Sequence, residues 1–192
     1  NKGHIGFLMN QFSEKNLKKR LDEAIPYKLS PLKIKCFEKN KKIKESLAFN
    51  DVSLIRSSSK IAKIKIEVNN KTRIEEFLGD GCLIATPAGS SAYNLSLRGP
   101  VIPVGAKVLA LTPISPYRPR RWRGALLTND AKITLYAIDS KLRPVRAEAD
   151  FMQFENIDRL EIELEKKLFV NLLFDPGHDL EERIINEQFN NS

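Results

Sequence analysis

Between Gly79 and Pro100 the chain reads GDGCLIATPAGSSAYNLSLRGP, and these residues have the types to hold a polar ligand. Gly79-Asp80-Gly81 reads as a tight turn whose glycines let the backbone approach something closely. Asp80 supplies a carboxylate, which accepts hydrogen bonds from ribose or amide donors. Cys82 to Ala85 is expected to form a short buried strand, and Thr86 to Ser91 a strand-to-helix turn. There Pro87 sets φ, Gly89 admits a left-handed residue, and Ser90 or Ser91 can cap a helix. Ala92, Tyr93, Leu95 and Ser96 fall in that helix's first turns, and Gly99-Pro100 ends it. Free N–H groups at its start attract anions. The small side chains leave room for a flat ring or a ribose, and Tyr93 offers a stacking face. On spacing alone, the same residues also make an ordinary Gly-rich turn followed by a plain capped helix, and both readings stand.

The surrounding pattern says which elements must position this stretch. Ser13 reads as an N-cap, with Leu17, Leu21, Ala24 and Ile25 on one helical face and Pro26 as the stop. This predicts an amphipathic helix of about three turns. The period then changes to two. Ile64, Ile66 and Val68 alternate with Lys63, Lys65 and Glu67, Asn69-Asn70 turns, and Thr72 to Leu78 returns as the second arm of a hairpin. Further strands are expected from Ile133, over Leu160 to Leu164, and over Leu168 to Phe174 after a turn at Lys166-Lys167. Asp179 to Phe189 reads as a short terminal helix. The fold class is therefore α+β, with a mainly antiparallel β body.

Composition narrows the function classes. The 192 residues are 42% hydrophobic and 29% charged, which is ordinary for a globular chain. A net charge of +8 attracts polyanions, including nucleic acid, anionic membrane and phosphate-rich small molecules. No apolar run approaches the ~20 residues of a membrane span, so no membrane partner is expected, and the first ten residues lack a signal-peptide layout. Cys36 and Cys82 lie in apolar surroundings without neighbours at metal-ligand spacing. They read as reduced core thiols, which fits a cytoplasmic protein.

The wording of the motif is more specific than its spacing. T-P-x-G-S-x-A-Y-x-x-S with an earlier G-D-G resembles the NAD kinase family. Gly3-His4-Ile5-Gly6-Phe7-Leu8, with Asn1, resembles that family's N-x-G-x-x-G-F-L segment, and Ala48-Phe49-Asn50-Asp51-Val52 its Asn-Glu motif. Leu111 to Pro116, Arg118 to Arg123, Phe174-Asp175-Pro176 and Glu187-Gln188-Phe189 resemble its bacterial branch. The resemblance covers essentially the whole chain.

It implies transfer of the γ-phosphate of ATP, or of polyphosphate, to the 2′-hydroxyl of the adenosine ribose of NAD, giving NADP. A divalent metal, Mg²⁺, accompanies ATP, and NAD is the substrate. The implied NAD-binding residues are Asn50 at the adenine, Asp51 at the ribose, Asp80 near the nicotinamide, and Ala88 beside that end. Ser91 and Ala92 border the adenine, Tyr93 packs on the ligand, and Asn94, Leu95 and Ser96 continue the pocket wall. Asp51 stands where the family has Glu, one methylene longer. Asp150 matches a family Asp near the site. The implied organisation is a remnant of an N-terminal α/β domain over residues 1–30, an NAD-binding β domain over 31–175, and a segment over 176–192 that returns to the N-terminal domain. A homodimer or homotetramer is implied as well.

The family's Gly-Gly-Asp-Gly loop, whose Asp activates the 2′-hydroxyl, has no counterpart in this sequence, and neither does a Walker GxxxxGK[ST] loop. The expectation is that the catalytic aspartate lies upstream of Asn1 and that no catalytic residue or metal ligand belongs to these 192 residues. Two rival readings are a lipid kinase of the diacylglycerol or sphingosine type and a basic nucleic-acid-binding module. The first needs a different β-domain signature. The second rests on Arg118 to Arg123 around Tyr117 and Trp122, a short basic run without a matching fold, so nucleic acid is not the expected partner. His4 and His178 have no partner at a useful spacing and receive no catalytic role.

Overall fold

A computed structural model describes residues 8–10 and 12–176. Two six-stranded antiparallel sheets pack face to face. The first runs β3-β2-β13-β10-β5-β6, with β2 at Leu32–Glu38, β3 at Lys41–Ala48, β5 at Ala62–Val68, β6 at Lys71–Gly79, β10 at Ile133–Ala137 and β13 at Arg159–Leu164. The second runs β12-β11-β4-β7-β8-β9. Here β4 is Asp51–Arg56, β7 Gly81–Ala85, β8 Val108–Ile114, β9 Ala125–Thr128, β11 Val145–Ala149 and β12 Met152–Phe154.

Alternation builds the first sheet. Leu32, Ile34 and Cys36, then Ile64, Ile66 and Val68, then Leu160 and Ile162 turn inward, while the intervening Lys and Glu residues face water. Their inward side chains meet Val52, Leu54, Cys82, Ile84, Leu109, Leu111 and Ala147 of the second sheet in one core. Asn69 and Asn70 both take positive φ (54° and 59°), the two-residue loop that joins β5 to β6. Every residue of β7 is buried. Its outer face, Leu83 and Ala85, is covered by a second cluster with Ile102, Ala110 and Ile114, so this strand reads as a continuous apolar run rather than an alternation.

The segment before the sandwich departs from expectation. Helix α1 covers only Leu17–Asp22, and Leu17 and Leu21 are 57% and 53% exposed. Asn16 precedes it at φ 55°, which a helix cannot extend through. Ser13 does not cap it; the Ser13 hydroxyl accepts from the Lys15 N–H at 3.2 Å. Ile25 and Pro26 leave the helical pattern for a strand, β1 (Ile25–Leu29), which pairs antiparallel with β14 (Val170–Phe174). Pro26 is tolerated because a two-stranded ribbon has only edge strands. β14 begins two residues later than the expected strand, and it does not fold back on β13. Arg20 grips Asp175 through two nitrogens, at 2.9 and 2.6 Å, tying α1 to the end of β14. The ribbon packs Leu29 and Phe174 on Ala88 and Val104, against the turn that carries the candidate site.

The Gly3 to Phe7 part of the N-terminal motif, both histidines, the Glu187-Gln188-Phe189 match and the expected terminal helix lie outside the described residues. Among the described residues no helix is long and apolar enough to cross a membrane. Cys36 and Cys82 are buried and free.

Candidate functional site

The corner Gly79-Asp80-Gly81 carries the chain from the edge strand β6 of one sheet to the middle strand β7 of the other. Neither glycine takes a positive φ; both serve close approach. A Cβ on Gly79 would stand 2.5 Å from the Phe77 ring, and one on Gly81 2.2 Å from the Leu54 carbonyl oxygen. What the glycines approach is thus the protein's own packing. Asp80 is held through its backbone by the Ile114 carbonyl and the Arg56 N–H, each at 2.9 Å. Its carboxylate accepts from Arg56 Nε at 2.6 Å, with both side chains about one third exposed (35%). Arg56 is thereby a site residue that the motif reading missed.

Asn50 and Asp51 sit at the start of β4, and their peptide units are gripped from two directions. The N–H groups of Phe49, Asn50 and Asp51 donate to the Asp150 carboxylate at 2.7, 3.0 and 3.2 Å. On the other side the Thr86 hydroxyl donates to the carbonyls of Phe49 (2.6 Å) and Asn50 (3.1 Å), and the Thr86 N–H to Asn50 at 2.9 Å. Gly89 lies flat on the same peptide; a Cβ there would be 2.0 Å from the Asn50 carbonyl oxygen. Asn50 is exposed, and among the described residues its side-chain amide makes no hydrogen bond, which leaves it open to a ligand.

The expected capped helix after Thr86 does not form. Residues Ala88–Ser91 make a 3-10 turn, and α2 is a single turn, Tyr93–Ser96, with no side-chain cap on either. A helix this short has little dipole, which removes the anticipated anion site at its start. The serines bond elsewhere. Buried Ser90 donates to the Pro87 carbonyl at 2.7 Å and accepts from the Ile102 N–H at 2.8 Å. The Ser91 hydroxyl reaches only the Ala88 carbonyl, at 3.5 Å. Asn94 is fully buried; its amide donates to the carbonyls of Ser90 and Pro100 and accepts from Thr112 at 2.6 Å. Its side chain therefore holds the turn together. Ala92, Tyr93 (41%) and Ser96 are exposed, and Leu95 is half-buried.

Electrostatics bring the pieces into one neighbourhood. The Tyr93 hydroxyl has a raised pKa from burial and then from the carboxylates of Glu148, Asp51 and Asp80, opposed by Arg146. Burial, with Asp150 and Glu148 beside it, lifts Asp51 to about 6. On β11, Arg146 Nε donates to Glu148 at 2.7 Å. Glu148 lies opposite Ser53 and Arg146 opposite Ile55 in the ladder to β4, on the same outer face as Asp51. The alternation V-R-A-E-A signals a strand with one wet face, but only the β11–β4 pairing aims that face at the motif. Asp51 and Arg56 are five positions apart on β4, which at ~3.3 Å per residue sets the Asn50-Asp51 and Asp80 ends roughly 17 Å apart. Tyr93 stands between them in the field of both.

Thr86, Pro87, Ala88 and Phe49 also line a cavity of about 490 Å³ together with Tyr27 and Val104. The Arg118 to Arg123 loop is anchored two residues from Asp80, where the Leu78 N–H donates to the Arg118 carbonyl at 2.8 Å. Trp122 packs edge-on against Phe77 (5.8 Å), and the loop's arginines are exposed. Among the described residues no group of three or more His, Cys, Asp or Glu side chains is placed to hold a metal ion. The exposed Asn50 amide and Tyr93 ring and the half-buried carboxylates of Asp51, Glu148 and Asp80 thus share one partly exposed polar surface. Such a surface has the groups to meet a ligand rich in hydroxyls and flat rings.

Residues 49–147 match the ATP-NAD kinase C-terminal domain family. The chain is 49% identical over 187 residues to the NAD kinase of Xylella fastidiosa (strain Temecula1), covering 97% of this chain and 72% of that protein. It is 45% identical over 187 residues to the NAD kinase of Hyphomonas neptunium, covering 97% and 73%. Yeast NADH kinase complexed with NADH has the same fold, with a TM-score of 0.84 at 26% identity over 99% of this chain and 57% of that one. An NAD kinase from Archaeoglobus fulgidus in complex with ATP aligns with a TM-score of 0.67 over 88% of this chain and 63% of that one; at 21% identity this likeness shows the fold alone.

Proposed function

Because the chain belongs to the NAD kinase family, we propose that it serves the phosphorylation of NAD to NADP, binding NAD across the polar surface that Asn50, Asp51, Tyr93 and Asp80 share. The observation that carries this reading is the presentation of Asn50 and Asp51. Their backbone is fixed by Asp150 and Thr86, their side chains are left for a ligand, and Tyr93 lies in the field of both Asp51 and Asp80. In this reading the Asn50 amide takes the adenine edge, where it can both donate and accept. Asp51 accepts from the ribose, and Asp80 from the nicotinamide end. Ala88, Ser91 and Ala92 supply the small wall, Tyr93 the packing face, and Leu95 and Ser96 the rim. Asn94 contributes by holding α2.

In the transfer, the ribose 2′-oxygen bonds to the γ-phosphorus of ATP as the bond to the bridging oxygen breaks, ADP leaves, and the 2′-hydroxyl proton is released. Polyphosphate is the alternative donor. Mg²⁺ would enter with the donor's phosphates and offset their charge; the described residues offer no three-ligand site of their own for it. The reading further proposes that residues 31–175 act as the NAD-binding β domain with 1–30 and 176–192 belonging to the N-terminal domain, that the protein works in the cytoplasm, and that it assembles as a homodimer or homotetramer.

The test is a titration of the protein with NAD, followed by an assay of ATP- and Mg²⁺-dependent NADP formation, with polyphosphate as a second donor. NAD binding that NADP competes away supports the reading. A protein that binds no NAD overturns it.

A further inference from the structure

We infer that Asp150 is a positioning residue for the nucleotide site: it sets the Asn50-Asp51 peptide by taking its N–H groups while Thr86 takes its carbonyls. The inference rests on the NAD-binding reading above and adds a residue role to it.

Asp150 occupies an αL turn residue (φ 49°) between β11 and β12, a conformation that Asp adopts more readily than most residues. Its own N–H donates to the Asp51 carbonyl at 3.1 Å. The Asp150 carboxylate then meets three consecutive backbone N–H groups within 3.2 Å, Phe49 on one oxygen and Asn50 and Asp51 on the other. Hydrogen bonds to an ionised acceptor are about twice as strong as neutral ones, and here they converge on one short segment. That segment is a corner where β3 of one sheet gives way to β4 of the other, and Phe49 and Asn50 lie between the two ladders. Without the Asp150 carboxylate their N–H groups would be left to water, and only Thr86 would still hold the corner.

Thr86 acts on the opposite edge of the same peptides, and its hydroxyl also accepts from the Gly89 N–H at 3.0 Å. The clamp therefore links three sequence-distant parts: the Asn-Asp corner, the TPAGSS turn and the β11–β12 turn. Both oxygens of the Asp150 carboxylate are taken by the backbone. It decides where the Asn50 amide and the Asp51 carboxylate point.

The experiment is calorimetric titration of the parent, Asp150→Asn and Asp150→Ala with NAD, alongside thermal melting. Asp150→Ala is expected to weaken NAD binding by about tenfold or more while remaining folded. Asp150→Asn keeps one acceptor oxygen and nearly the same shape, so it should fold and recover part of the NAD affinity. NAD affinity unchanged in Asp150→Ala, or lost to the same extent in a folded Asp150→Asn protein, overturns the inference. A parent protein that binds no NAD overturns the NAD-binding reading instead.

Discussion

Arg56 and Asp80 are bound to each other twice, Nε to carboxylate at 2.6 Å and backbone N–H to backbone carbonyl at 2.9 Å, across the point where the chain passes between sheets. One oxygen of Asp80 is thereby taken by the protein, and its orientation is set before any ligand arrives. Replacing Arg56 with Met should change global stability little, by about 1 kcal/mol or less, because the pair is partly exposed. The same change should weaken NAD binding severalfold. Calorimetric titration together with urea unfolding checks both; a large stability loss with intact NAD affinity would mean that the pair is purely structural.

Gly89 has no space for a side chain. A Cβ would press to 2.0 Å on the Asn50 carbonyl, which is backbone and cannot swing aside. Gly89→Ala should cost about 1–3 kcal/mol or more and shift the TPAGSS turn away from the Asn50 corner. The expected readout is a lower melting temperature with lost NAD binding. An unperturbed variant would show that the two segments do not pack this closely.

Asp51 predicts a pH effect with a definite sign. Its pKa rises on folding from the ordinary 3.8 to about 6, first through burial and then through Asp150 and Glu148. Between those values the folded chain holds a proton that the unfolded chain has released, so this group's contribution to stability falls as pH rises. Asp51→Asn should therefore gain on the parent by about 2 kcal/mol between pH 4 and pH 7. Chemical unfolding of both proteins across that range measures it, and a difference that shrinks with pH would refute the raised pKa.

Tyr93 is 41% exposed, so Tyr93→Ala should leave the fold stable. If the ring packs on a base of NAD, its loss weakens binding by roughly 1–3 kcal/mol. Asp80→Asn is expected to reduce NAD binding more than Asp51→Asn does. The opposite order in a binding titration would exchange the roles given to the two carboxylates.

The thiols should be inert. Burial pushes Cys36 up to about 11 and Cys82 higher still, which suppresses the thiolate that reagents attack. Neither should react with an aromatic disulfide reagent at pH 8 in the native protein, and both should react in urea. Fast native labelling of either would place it outside the core.

Much of the sandwich was legible because its strands follow local rules. Lys63 to Val68 alternates, Asn69-Asn70 accepts the positive φ that its loop needs, and Glu161 to Leu164 alternates again. Residues 13–29 misled the same rules. Leu17, Leu21 and Ile25 have helical spacing, yet Ile25 pairs with Phe174 across the ribbon, and no local pattern encodes a partner so far along the chain. The TPAGSS turn misled them too. Its serines are good caps in isolation, but Ser90 is drawn to Ile102 and Asn94 to Thr112, long-range bonds that break up a regular helix.

The order of residues along the chain was enough to show which of them form the motif and that the β body is antiparallel; the roles of Asn50, Asp51, Asp80 and Tyr93 came from the resemblance and stay proposals. What required the assembled fold was their mutual placement. Arg56 and Glu148 have ordinary surroundings in sequence, Thr86 and Asp150 stand out there without revealing their partners, and each acts on a residue brought to it by strand pairing or by a crossing between sheets. A side chain's chemical type is local, whereas the direction in which its donors and acceptors point is set by backbone partners that can lie a hundred residues away.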